Sequence, residues 1–124
     1  MTIDKNAKLK ARTGAFALAS IRLVQGLPRD MICAVLAKQL VRCATSVGAN
    51  YRSSCRAKST ADFISKMKIV EEEADECDYW LALLVQAGYL SEEQAQPLMR
   101  EANELVAILV ASIQTAQRNK VSAR

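Results

Sequence analysis

Three observations predict an all-α protein, an antiparallel up-down-up-down four-helix bundle that occupies residues 1–124 as one domain. Apolar residues recur three and four apart through four long segments. Short connections carrying Gly, Pro or Ser-capping signals separate those segments, and no stretch alternates apolar and polar residues as a half-buried strand does. Twenty alanines favour helix throughout. A chain of 124 residues suits one core, large enough to need neither a disulfide nor a metal staple.

The first helix is expected over residues 4–25, with Leu9, Thr13, Phe16, Ser20, Leu23 and Leu27 along its seam and Gly26 stopping it. Pro28, tolerated in a first turn, opens a second helix over 29–56. Ser59-Thr60-Ala61-Asp62 reads as a capping box for a third over 60–87, with Gly88 as the residue that ends it. The seam of that helix is Phe63, Met67, Val70, Ala74, Cys77, Leu81 and Leu84. Ser91-Glu92-Glu93-Gln94 is a second capping box, opening a fourth helix over 92–117 that carries Leu98, Ala102, Leu105, Leu109 and Ala116.

The second helix sorts into three stripes at ~100° per residue. Ile32, Leu36, Leu40, Cys43, Val47 and Asn50 form the expected bundle seam, in which Asn50 is read as a hydrogen-bonded core amide that fixes register. Cys33, Ala37, Ala44 and Gly48, with Cys55, form a small-residue stripe, which either covers a neighbouring helix or lines a subunit contact. Lys38, Arg42, Arg52 and Arg56 form a basic stripe, helped by Lys58, Lys66 and Lys68 nearby. Three readings fit it: a solvated face, a phosphate-reading strip, or a partner for the acidic segment.

Charge is divided along the chain. Residues 1–68 hold 13 Lys/Arg and 3 Asp/Glu, whereas residues 69–104 hold Arg100 against ten carboxylates. Such asymmetry fits a polyanion partner, association of opposite faces, or pairing inside one bundle. Glu73 shares a stripe with Ile69, Trp80 and Leu83, so it is expected to be partly buried and paired with a base such as Arg42.

Composition argues against most enzymes. There is no histidine, which removes imidazole triads and the Glu-x-x-His half of carboxylate-bridged metal bundles, and no loop has the ligand spacing of a calcium site. No glycine-rich phosphate loop is present, since Gly14, Gly26, Gly48 and Gly88 stand alone. No catalytic residue, metal, cofactor or small-molecule substrate is therefore expected. Cysteines 33, 43, 55 and 77 lack C-x-x-C spacing, no secretory pattern opens the chain, and the apolar run Leu105–Ile113 is short of the ~20 residues that span a bilayer. A cytoplasmic protein with reduced thiols and no membrane partner is expected. Aromatic residues suited to base stacking are few, with Tyr51 the best placed, beside Arg52.

Three blocks carry a family resemblance: residues 39–50 (QLVRCATSVGAN), 58–64 (KSTADFI) and 73–81 (EADECDYWL). Together they resemble the four-helix-bundle family encoded in 23S rRNA intervening sequences of bacteria. The resemblance implies a bacterial cytosolic protein that assembles as a ring-like homopentamer and has no established enzymatic activity. The family is also similar in fold to the accessory variability proteins of diversity-generating retroelements, which engage nucleic acid and a reverse transcriptase through a basic pentamer surface. Many members carry glutamate three residues after the Asn50 position, where this chain has Ser53. The functional expectation is a non-enzymatic homo-oligomer that binds RNA or DNA, or a nucleoprotein partner, through a basic surface. The alternative is an interaction scaffold whose charge asymmetry serves its own assembly.

Overall fold

The computed structural model describes residues 6–122, and among them it contains four helices and no strand. They are α1 (Ala7–Gln25), α2 (Met31–Ser54), α3 (Thr60–Gln86) and α4 (Glu92–Ser122). Each of α2, α3 and α4 begins where a side chain satisfies orphan backbone amides. Asp30, with extended backbone, accepts from the amides of Ile32 at 2.8 Å and Cys33 at 3.1 Å. This cap places the start of α2 after Asp30 rather than at residue 29, and Pro28 lies outside the helix. Ser59 accepts from the Asp62 amide, while Asp62 reaches back to the Lys58 amide. At α4 the box is reciprocal: Ser91 Oγ accepts from the Gln94 amide and Gln94 Oε1 from the Ser91 amide.

The α3 terminus is a Schellman motif. Gly88 has φ 85°, the Tyr89 amide donates to Leu84 O, and the Gly88 amide donates to Val85 O. Helix α2 ends at Ser54 rather than 56, and α4 continues past 117 to Ser122, enclosing Pro97, which has no amide to donate in the helix ladder. The expected start of the first helix at residue 4 lies outside the described residues.

Packing joins α1 to α2, α2 to α3, α3 to α4 and, more thinly, α4 to α1, with no close backbone approach between α1 and α3 or between α2 and α4 among the described residues. Neighbours are antiparallel: Thr13 near the start of α1 meets Gly48 near the end of α2, and Asp30 at the start of α2 meets Tyr89 just beyond α3. The core runs through Phe16, Leu40, Val47, Met67, Val70, Leu81, Leu84, Leu105 and Leu109. The expected seams of α1, α3 and α4 are the buried faces, with Ala95 and Ile113 added on α4.

The seam of α2 is rotated from its expected position. Its buried residues are Cys33, Ala37, Leu40, Cys43, Ala44, Val47, Tyr51 and Ser54, whereas Ile32 is 58% exposed and Leu36 is half-buried. The centre lies roughly 50° toward the small-residue stripe at ~100° per residue. The physical reason is that a bundle helix serves two neighbours. Leu40 and Cys43 belong to the arc that includes α3, and Ala44 and Gly48 let α1 approach. Thus Cys33, Ala37 and Ala44 are buried in the chain's own core and Gly48 abuts Thr13, so this stripe does not form the outward surface that the subunit-contact reading requires. By length and composition α2 could cross a membrane, which the sequence reading did not anticipate; here its apolar residues divide between the core and the exposed Met31, Ile32 and Val35.

Close approach between α1 and α2 is tolerated because the polar groups there are satisfied locally. Thr13 Oγ1 donates to Lys10 O at 3.1 Å, Ser20 Oγ to Phe16 O at 2.9 Å and Ser54 Oγ to Tyr51 O at 2.6 Å. A Cβ on Gly48 would lie 3.2 Å from Thr13 Oγ1. Gly48→Leu should therefore lower stability by ~1–3 kcal/mol through overpacking, read as a shifted urea midpoint with unchanged slope; a variant as stable as the parent would refute this account of the α1–α2 contact.

Candidate nucleic-acid interface

The basic residues singled out in the sequence do not form one strip. Arg42 is diverted to α3: its Nη1 lies 3.1 Å from Glu73 Oε2 and its Nη2 2.5 Å from Glu76 Oε1, while its Nε donates to Gln39. Glu73 is half-buried and paired with Arg42 as its helical phase predicts. Glu76 completes the arrangement, because Trp80 Nε1 also donates to it at 3.1 Å. Hydrogen bonds from Arg42 and then from Trp80 hold the Glu76 carboxyl below its ordinary range. Arg42 thus joins two helices and is a poor free cation.

A second clamp, missed in the sequence, ties α1 to α4. The Arg12 guanidinium donates through Nε and Nη2 to both oxygens of Glu101 at 2.7 Å, and Nη2 reaches Glu104 at 2.6 Å. The fork geometry suits a carboxylate, and it holds Glu101 below its usual pKa, chiefly through the hydrogen bond from Arg12. Four carboxylates of the acidic segment are therefore engaged by two arginines within one chain.

Other cations gather elsewhere. Lys10 of α1, Arg52 of α2, Arg56 in the turn just after α2, and Lys66 of α3 line one surface depression of about 550 Å³, with Ala49 and Ser53 also in its lining. The three-four spacing of Ala49, Arg52 and Ser53 puts these three on the outward face of α2, and Arg56 follows in the turn beyond it. Arg52 and Arg56 are exposed and make no ion pair with a described residue, whereas Lys66 Nζ lies 3.2 Å from Asp62 Oδ2. No carboxylate is among the described residues that line the depression.

Of the other expected contacts, Lys38 and Lys68 are exposed outside this depression, and Lys58 lines a neighbouring one with Asn6, Ser59 and Thr60. Asn50 is half-buried rather than a core amide: its Nδ2 donates to Ser46 O at 2.9 Å and to Ser46 Oγ at 2.7 Å, one turn back on its own helix. Tyr51 is 5% exposed and belongs to the core, so it is not available for base stacking. Its position between the stripes, which the rotated seam of α2 buries, accounts for the difference.

All four cysteines are free thiols. Cys77 Sγ donates to Cys43 Sγ at 3.1 Å across α2 and α3, and Cys43 Sγ donates in turn to Leu40 O. That hydrogen bond, followed by burial, pushes the Cys77 thiol well above its ordinary pKa. No group of three or more metal-ligating side chains occurs among the described residues.

The described residues define an all-α four-helix bundle with two interhelical arginine clamps and an outward basic depression. The chain belongs to the 23S rRNA-intervening sequence protein family, whose model matches residues 5–111. It is similar to a solved protein of unknown function from the S23 ribosomal protein family of Bacteroides thetaiotaomicron, with 36% sequence identity and a TM-score of 0.78. The alignment covers 84% of this chain and 96% of that one. No match was found among curated proteins.

Two outcomes follow from these contacts. Because Glu76 is held below its ordinary value of 4.5, its pairing contributes stability above that value, and the contribution is lost as pH falls through the lowered one. Arg42→Gln should cost roughly 1 kcal/mol or less at neutral pH, as partly exposed pairs do, and the gap from the parent should close in acid; a constant gap across a pH series of urea melts would contradict the assignment. Native alkylation followed by mass measurement should modify the half-buried Cys55 first and reach Cys33, Cys43 and Cys77 only on unfolding, so early labelling of Cys77 would contradict the packing described.

Proposed function

We propose that the protein is a non-enzymatic, homo-oligomeric bundle of the cytoplasm that binds nucleic acid, or a nucleoprotein partner, through the outward C-terminal half of α2. The observation that supports this reading is a single depression lined by Lys10, Arg52, Arg56 and Lys66, with no carboxylate among its described lining residues. Counterion release supplies the affinity when guanidinium and ammonium groups replace condensed cations on phosphates. Base specificity is weak, because Tyr51 is buried and no reading helix or aromatic platform accompanies the cations.

The second reading, a self-assembling scaffold without nucleic-acid binding, draws support from Met31, Ile32 and Val35, which stand 83%, 58% and 58% exposed at the start of α2. With the small-residue stripe consumed by α1, these residues are the apolar surface that α2 has left for a second copy. The family resemblance points to a pentamer, repeating the basic depression around a ring.

The discriminating experiment reverses Arg52 and Arg56 to Glu together and measures structured RNA and duplex DNA across a salt series, with light scattering on both proteins. The parent is expected to scatter at about five times the 13.6 kDa of one chain and to lose affinity steeply with salt, by ~0.9 in the logarithmic slope for each B-DNA phosphate neutralised. The double variant is expected to keep its mass and lose most binding at low salt. A folded, assembled variant that binds as the parent does removes this face as the contact, and a monomeric parent removes the assembly.

A further inference from the structure

We infer that Cys43 of α2 and Cys77 of α3 form a site of reversible oxidation, at which hydrogen peroxide closes an intramolecular disulfide across the two helices. The site is independent of the basic face and of assembly, and three observations carry it. Cys77 Sγ lies 3.1 Å from Cys43 Sγ, so the sulfurs have to close by about 1 Å to reach the ~2.05 Å of a disulfide bond. The pairing is selective, since this is the sole hydrogen bond between two sulfurs among the described residues, and Cys33 and Cys55 take no part in it. The register that brings the thiols together is also held from outside: Arg42 and Glu76, the residues just before Cys43 and Cys77, pair across the same two helices, and Glu73 joins them.

The Cys77 thiol donates to Cys43, and the Cys43 thiol donates to Leu40 O. Loss of the Cys43 proton therefore leaves a thiolate that still accepts from Cys77. That thiolate gives an electron pair to one peroxide oxygen: the S–O bond forms, the O–O bond breaks, and the departing hydroxide takes up the released proton as water. Cys77 then attacks the Cys43 sulfenic sulfur; the S–S bond forms, the S–O bond breaks, and hydroxide leaves as water with the Cys77 proton. In sum, two thiols lose two electrons and two protons, and the peroxide is reduced to two waters. The hydrogen bond to Cys43, burial, and the charges of Glu73 and Glu76 keep the Cys77 thiol protonated in the closed bundle. Reaction accordingly proceeds through local openings that admit a molecule as small as peroxide. A partner thiol at contact distance captures the sulfenic acid before a second peroxide can carry it to the sulfinic acid.

The test treats the reduced full chain with excess hydrogen peroxide at low protein concentration, stops the reaction with catalase, blocks remaining thiols in urea and maps the peptides by mass. The expected main product is a single chain lighter by two hydrogens, with Cys43 and Cys77 joined, and dithiothreitol restores the parent. The bond joins positions 34 apart in sequence, so it constrains the unfolded chain and should raise the urea midpoint; a lowered midpoint would show that it distorts the native packing and overturn the site. Cys33→Ala combined with Cys55→Ala should still form the bond. Cys77→Ala should instead carry Cys43 on to the sulfinic acid, and if that variant fails to fold, the peptide map of the parent decides. The urea-unfolded parent, in which any two cysteines can meet, is the measure of peroxide activity and should give mixed pairings. A folded chain that keeps both thiols under peroxide sufficient to oxidise the unfolded one overturns the inference. Bonds through Cys33 or Cys55, bonds between chains, or sulfinic acid at Cys43 beside a free Cys77 in the parent do the same.

Discussion

The packing of α2 between α1 and α3 is the constraint on which the molecule depends. Because the backbones of α1 and α3 do not approach closely among the described residues, α2 must present one continuous arc that satisfies both neighbours. Small residues occupy much of it: Cys33, Ala37, Cys43 and Ala44 are buried, and Gly48 admits Thr13. Small side chains let helix axes approach, and the close approach supplies the dispersion contacts that larger side chains provide elsewhere in the core. This arc also orients everything outward on α2. Had its centre followed Ile32 and Leu36, Tyr51 would stand away from the core and Arg52 and Arg56 would turn away from Lys10.

Electrostatics follow from that packing. The steep division between a basic first half and an acidic third helix suggests wholesale pairing, yet two arginines account for much of what is paired. Arg42 crosses from α2 to Glu73 and Glu76, and Arg12 crosses from α1 to Glu101 and Glu104. Both use planar forks against carboxylates on neighbouring helices, where a partly buried partner limits screening. Lys10, Arg52, Arg56 and Lys66 meet elsewhere, at a depression with no carboxylate among its described lining residues.

Local signals were legible in the sequence and relative rotations were not. The boxes at Ser59 and Ser91 and the left-handed Gly88 each depend on a few adjacent residues, and each appears as the composition indicates. The Arg42–Glu73 pair was legible because both phases could be read on their own helices. Asp30 was passed over in favour of Pro28, although an aspartate just before an apolar period is itself a capping signal. The rotation of α2 escaped because Ile32 and Leu36 outweigh Cys33, Ala37 and Ala44 on any scale of apolarity, while space between helices rewards smallness. Lys10 and Arg12 carried no local mark at all; the carboxylates that Arg12 engages lie across the bundle on α4, and only the docking of α1 brings Lys10 to the depression it shares with Arg52 and Lys66.

That docking has a dynamic consequence. Helix α1 is the shortest of the four at 19 residues, its Asn6 start makes no side-chain cap, and it leans on α2 and α4 alone. Local opening in a folded domain proceeds through the unit with the fewest tertiary ties, and its free energy lies below that of global unfolding. Amide protons of α1 should then exchange with solvent while those of α2, α3 and α4 stay protected, making the molecule a three-helix foldon with a detachable first helix. In such an opening Gly48 loses its neighbour Thr13, and the face of α2 left bare is the one on which α1 packs.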